Sequence, residues 1–183
     1  MEAKPRIRPL PVLGVAAALL VVALLTFGVI NAEGGSLELG EPAPDKTLPQ
    51  LDGSGTGTIG QYRGQWVLVN FWASWCGPCR TESPALQKFH DQHRDDNFTV
   101  LGVNSQDLTG DARAFVDRYD LTFPILRDAD GERTEAFAMT GFPESFLVNP
   151  QGRIALIRRG PVDEAYLERF VEPAITRGQR ATP

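Results

Sequence analysis

Apolar and polar positions follow three different patterns along this chain. Residues 10–30 carry no charge at all; as a helix, 21 such positions would extend about 32 Å, one hydrocarbon core. The run Trp66-Val67-Leu68-Val69-Asn70-Phe71-Trp72 is apolar at nearly every position, which predicts a strand buried on both faces of a sheet. Beyond it, helical and strand periods alternate. Pro78 to about Arg94 reads as a helix with proline near its first turn, and Pro84 inside it predicts a kink. Phe98–Val103 reads as a second buried strand. Ala112, Phe115, Val116 and Tyr119 recur at helical spacing, and Phe123–Leu126 is a short strand. Asp130–Met139 is a helix ending near Gly141. Ser145–Val148 and Ile154–Ile157 are strands joined by the turn Asn149–Gly152. Leu167, Phe170, Val171 and Ala174 mark the apolar face of a last helix. A leading hairpin spans about Thr47 to Gly64; its glycine-rich tip lacks the Lys-Ser/Thr ending of a phosphate-binding loop. The alternation predicts an α/β fold, a central mixed sheet with helices on both faces.

Charge gives this pattern an orientation. Lys4, Arg6 and Arg8 precede the uncharged segment, and no basic residue follows it closely. By the positive-inside rule, residues 1–9 are cytoplasmic and 10–30 form a single transmembrane anchor in the cell membrane. Residues 31–36 are then a linker, 37–178 an extracytoplasmic (periplasmic) domain and 179–183 a tail. A cleaved signal peptide is the competing reading; its apolar core would be shorter, and cleavage after Ala32 would put Ile30 where a small residue is wanted. The formal net charge is −5. Lys4, Arg6 and Arg8 against Glu2 give the first thirty residues +2, which leaves −7 for the rest. An acidic domain has no basic stripe for nucleic acid.

The two cysteines of the chain, Cys76 and Cys79, lie in Trp75-Cys76-Gly77-Pro78-Cys79-Arg80, between the buried strand and the helix. A pair at this spacing is suited to cycle between dithiol and disulfide. At a helix N-terminus, free N–H groups and the positive end of the helix dipole favour a thiolate at Cys76. Cys79, one turn in, is placed to resolve a mixed disulfide. Metal binding is the alternative. Tetrahedral zinc wants four ligands, yet the remaining candidates, His90 and His93, fall at the far end of the helix, with His90 about 16 Å from Cys79. They read as solvated positions, so no metal and no cofactor is expected beyond a redox-active Cys76–Cys79 disulfide.

With Phe142-Pro143 before Glu144-Ser145-Phe146-Leu147-Val148, these motifs resemble the thioredoxin fold. They resemble more closely its membrane-anchored ResA/TlpA/CcmG (DsbE) group, through Gly40-Glu41-Pro42-Ala43-Pro44-Asp45, Trp75 to Glu82 and a central αβ insertion at about Asp107–Asp128. The resemblance implies a cis-proline at Pro143, facing the cysteines. It also implies a substrate-binding surface including Trp75, Phe142 and Pro143, with Trp72 in the core. It implies a protein disulfide oxidoreductase working as a reductase in cytochrome c maturation, with apocytochrome c as a substrate and a membrane thiol reductase as electron donor. A disulfide-forming oxidase and a non-enzymatic metal- or peptide-binding module remain open.

Two positions depart from soluble thioredoxins. Asn70 stands where they carry a buried aspartate, and Gly102 where they carry a lysine. Glu82, three residues after Cys79 on one helix face, is the candidate to tune the pair or exchange a proton with Cys79; an exposed Glu82 paired with Arg80 is the alternative. Glu144 is a second tuning candidate, expected near Cys76. The Thr-x-x-Cys setting of a peroxidatic cysteine is absent, because Ala73 stands at the threonine position.

Overall fold

The computed structural model describes residues 18–24, 26 and 37–180. Its contacts divide the chain into Met1–Gly35 and Ser36–Pro183. In the first unit, residues 18–24 are helical and exposed. Among the described residues no helix is long and apolar enough to cross a membrane; most of the anchor expected over 10–30 lies outside them, as do the linker 31–36 and residues 181–183.

In the second unit, the uninterrupted apolar run becomes the central strand β3 (Trp66–Trp72). The other strands are β1 (Leu48–Pro49), β2 (Thr56–Gly57), β4 (Phe98–Ser105), β5 (Ile125–Asp128), β6 (Glu144–Val148) and β7 (Ile154–Arg159). Five of them form a mixed sheet of order β5-β4-β3-β6-β7. β3, β4 and β5 run parallel, while β6 and β7 are antiparallel to their neighbours. β1 and β2 make a small separate hairpin, far shorter than the one the sequence suggested.

The helices are α1 (Gly77–His93), α2 (Thr109–Arg118), α3 (Glu132–Ala136) and a last helix, α4, built from Glu164–Tyr166, a π-helical stretch Leu167–Val171 and Glu172–Arg180. The crossovers through α1 and α2 step the same way along the sheet, so right-handed connection puts both helices on one face. Leu86 and Phe89 of α1, Ala112 and Phe115 of α2, and Leu167, Val171 and Ile175 of α4 pack there with Leu68, Trp72 and Leu147. The other face is covered by Ala43, Leu48, Ile59 and Phe137, packed on Val67, Val69, Phe71, Phe146 and Val148. Helices thus cover both faces unequally.

Three local expectations change. The buried face of α4 is Leu167, Val171 and Ile175, with Ala174 half-buried against the same cluster as expected, but Phe170 is exposed; the π stretch widens the turn after Leu167 and carries Phe170 outward. α3 is only five residues long. His90 and His93 are half-buried rather than fully solvated. His93 lies against Phe89 and Phe98, and His90 packs edge-on to Phe123, where burial pushes its imidazole pKa down.

Candidate active site

β3 ends at Trp72, the chain turns through Ala73-Ser74-Trp75, and α1 begins at Gly77. The turn closes with Cys76 N–H donating to the Ala73 carbonyl at 3.1 Å. Cys76 is the N-cap of α1, with Pro78 in its first turn. Its Sγ accepts the Cys79 N–H at 3.2 Å, so the cysteine sulfur takes the role usually filled by a serine or aspartate oxygen. Cys76 and Cys79 form a disulfide, their Cα atoms 5.3 Å apart. Cys79 is fully buried, and Cys76 is only 4% exposed, more covered than its place at the helix end suggested. Both sulfurs belong to the apolar cluster under α1, with Phe142 packed against it.

Trp75 is the open side of the site, 56% exposed. Its indole N–H donates to the Gln106 carbonyl at 3.1 Å, and its ring meets Phe142 edge to face at 5.5 Å. The Phe142–Pro143 bond is cis and Pro143 is buried at the start of β6. Trp72 is in the core, stacked on Phe115 at 4.5 Å. Its Nε1, Phe123 and Ile125 lie 3.0–3.2 Å from where a Cβ on Gly102 would sit. They fill the space that a longer side chain would need at the position where soluble thioredoxins carry lysine.

Glu82 lies one turn beyond Cys79 on α1 and is 1% exposed. It does not pair with Arg80, whose guanidinium binds the Ser74 carbonyl instead. Asn70 Nδ2 donates to Glu82 Oε1 at 2.8 Å and to Ser145 Oγ at 3.0 Å. The Val162 N–H donates to Glu82 Oε2 at 3.0 Å. Burial pushes the Glu82 carboxyl up to about 7; the hydrogen bonds and the Arg158 charge offset this only in part. Replacing the aspartate of soluble thioredoxins by Asn70 therefore does not leave the interior without an acid; the ionisable group has moved from the strand to the helix.

Glu144 is equally buried but stands elsewhere. In the register it faces Phe71, while Ser145 faces Asn70. Alternation puts its side chain on the sheet face away from α1. There Oε1 accepts from Thr140 N–H and Oγ–H at 2.9 and 2.6 Å, and Oε2 pairs with Arg159 at 2.7 Å. The placement beside Cys76 expected for it is corrected: a one-residue step along a strand changes faces, and Arg159 neutralises the carboxylate there.

Sequence reading missed Asp107. Its carboxylate accepts from Ser74 N–H and Oγ–H at 2.6 and 2.8 Å. It also accepts from Asn104 Nδ2 and Leu108 N–H, both at 2.8 Å. Burial raises its pKa, but these hydrogen bonds outweigh that and hold it below the usual carboxylate range. Among the described residues no group of three or more His, Cys, Asp or Glu could hold a metal ion.

The AhpC/TSA family profile matches residues 39–157. The chain is similar to the thiol-disulfide oxidoreductase ResA of Oceanobacillus iheyensis, 28% identical over 159 residues that cover 84% of this chain and 83% of the relative. It is 35% identical over 139 residues to the thioredoxin-like protein YneN of Bacillus subtilis, covering 74% of this chain and 80% of the relative. Among solved structures, a Chlorobium tepidum protein described as a thiol:disulfide interchange protein DsbE superposes with a TM-score of 0.71 at 31% identity, over 78% of this chain and 99% of that one.

Proposed function

The chain belongs to the AhpC/TSA family of thioredoxin-like proteins and is a thiol–disulfide oxidoreductase of the ResA/DsbE type; from that premise we propose that it is a membrane-anchored reductase of extracytoplasmic protein disulfides. The observation that carries this is a disulfide at a helix N-terminus, with Phe142 of the cis Phe142–Pro143 bond packed against the cluster that holds it and a buried glutamic acid one turn further along the helix.

In the reductive cycle, Cys76 thiolate attacks one sulfur of a substrate disulfide. That S–S bond breaks, a mixed disulfide forms, and one substrate thiolate leaves and takes up a proton. Cys79, deprotonated, then attacks Cys76 Sγ. The Cys76–Cys79 bond forms as the mixed disulfide breaks, and the second substrate thiolate leaves and is protonated. Two electrons pass from the pair to the substrate. Glu82 is the group we assign to accept the Cys79 proton, since a carboxyl titrating near neutrality is matched to that task. Exposed Trp75 and half-buried Phe142 form the surface on which the substrate segment lies, with the buried Pro143 fixing the backbone beside Phe142.

The anchor reading is supported by the basic residues before 10–30 and by Leu19, Leu20, Val21, Val22 and Leu24, all more than half exposed. It places the catalytic unit outside the membrane, where an oxidising environment requires a membrane thiol reductase to recharge the pair. Apocytochrome c is the substrate we assign, by likeness to the ResA/TlpA/CcmG group. Equilibrating the full chain in thiol redox buffers, with alkylation to count thiols, tests the direction. A potential near about −270 mV supports a reductase; one near about −120 mV makes the enzyme an oxidase and removes the cytochrome c assignment.

A further inference from the structure

The turn Ala73-Ser74-Trp75-Cys76 is tied down on every side. Besides its own closing bond, Arg80 Nε and Nη2 donate to the Ser74 carbonyl at 3.2 and 2.8 Å, and Trp75 reaches the Gln106 carbonyl. Asp107 takes both donors of Ser74. Asp107 is itself fixed from behind by Asn104 at the end of β4, by the Leu108 N–H and by Arg127 of β5, which donates to the Asp107 carbonyl and to Asn104 Oδ1. Gln106, just before it, has a φ of 50°, a left-handed conformation that few non-glycine residues adopt. This turn between β4 and α2 thus presents one carbonyl to Trp75 and one carboxylate to Ser74.

We propose that Asp107 is a positioning residue for the thiol–disulfide reaction, holding the turn that carries Cys76 when the disulfide is open. While the Cys76–Cys79 bond exists, a covalent ring helps keep the sulfur at the helix N-terminus. Once the pair is reduced, hydrogen bonds alone must hold it there, and nucleophilic attack is sensitive to small displacements. The carboxylate is the chemical group this position requires. Oδ1 accepts from Ser74 Oγ–H and Leu108 N–H; Oδ2 accepts from Ser74 N–H and Asn104 Nδ2. An amide of the same shape would turn its NH2 toward a fixed backbone donor whichever way it were flipped, the Leu108 N–H at one end or the Ser74 N–H at the other. The inference rests on Cys76 being the attacking thiol.

The test uses the reduced full chain in detergent micelles. Stopped flow follows reaction of its thiols with 5,5′-dithiobis(2-nitrobenzoate), and thermal unfolding is recorded in parallel. Asp107→Asn is expected to slow the reaction about tenfold and Ser74→Ala about threefold. Ser74→Thr, which keeps both donors, should recover the rate lost in Ser74→Ala. The small disulfide makes the readout independent of how a protein substrate docks. A lower melting temperature with wild-type rates in Asp107→Asn and Ser74→Ala would overturn the proposal and make Asp107 a structural residue. Should Asp107→Asn fail to fold, the Ser74 pair decides alone, because that half-buried side chain carries a single bond of its own. A Cys76→Ser chain that reacts as fast as the wild type would instead overturn the assignment of Cys76, a failure distinct from that of Asp107.

Discussion

Two glutamates of this protein are equally inaccessible to water, and their surroundings differ in kind. Glu82 sits on the face of the sheet that holds the cysteines, and its direct partners are neutral donors, Asn70 and a backbone N–H. Glu144 sits on the opposite face against a guanidinium and a threonine. A buried acid whose direct partners are neutral donors can gain and lose a proton near neutrality, as the raised pKa of Glu82 indicates. Glu144 instead meets an arginine and a threonine on the face away from the cysteines. In this fold the first arrangement lies one helical turn beyond Cys79, and the second braces Thr140 and Arg159 around the start of β6.

The comparison can be broken in graded steps. The largest effect is expected at the pair itself. Cys76→Ser should lower disulfide exchange by at least about a thousandfold, since it removes the thiolate that attacks the substrate disulfide and leaves Cys79 nothing to resolve; insulin reduction measures it. Next comes Glu82→Gln. The folded-state pKa of Glu82, about 7, lies above its ordinary 4.5, so the folded protein binds that proton more tightly than the unfolded chain. Its contribution to stability is complete below about pH 4.5, declines as pH rises and is gone above about pH 7. Denaturant unfolding should show the wild type losing about 3 kcal/mol more than Glu82→Gln between pH 4 and pH 8. The pH–rate profile of the wild type should carry an inflection near 7 that the variant lacks. Parallel profiles would remove Glu82 from the mechanism.

On the other face, Arg159→Met leaves the Glu144 carboxylate buried beside threonine alone. Water reaches the arginine, so the cost should be about 2 kcal/mol, less than for a fully enclosed pair. Adding Glu144→Gln should return most of that, and the reduction potential should stay unchanged throughout. A moved potential would bring Glu144 back into the site. The smallest effect tests the lysine position. Gly102→Ala puts a methyl within 3.0–3.2 Å of Trp72, Phe123 and Ile125, and overpacking of this size should cost about 1 kcal/mol. A neutral or stabilising result would show that the interior can yield there.

Much of this was legible in the residue order. The unbroken apolar run of β3 and the cysteine pair after it mark a strand-to-helix junction because strand burial and helix capping are local matters. β3 has the bounds its pattern suggested, and α1 differs from its pattern by about a residue at each end. The π-helical stretch of α4 was not legible: a widened turn leaves no mark in a hydrophobic pattern read at 3.6 residues per turn, so Phe170 was assigned inward and Ile175 overlooked. Asp107 was invisible for a different reason. It is an ordinary aspartate thirty-three positions from Ser74, and only the parallel pairing of β3 with β4 brings the ends of those two strands together.

The sequence by itself determined which sulfur chemistry this protein performs and where along the chain it sits, because two cysteines at the head of a helix carry that instruction within four residues. Tertiary structure decided which acid serves that chemistry. Glu82 and Glu144 are the same residue type at similar distance from a recognisable motif. Side-chain direction in a strand reverses at each residue, and the partner a carboxylate meets depends on which distant segment packs against that face. That choice between a neutral donor and an arginine is written only in the folded sheet.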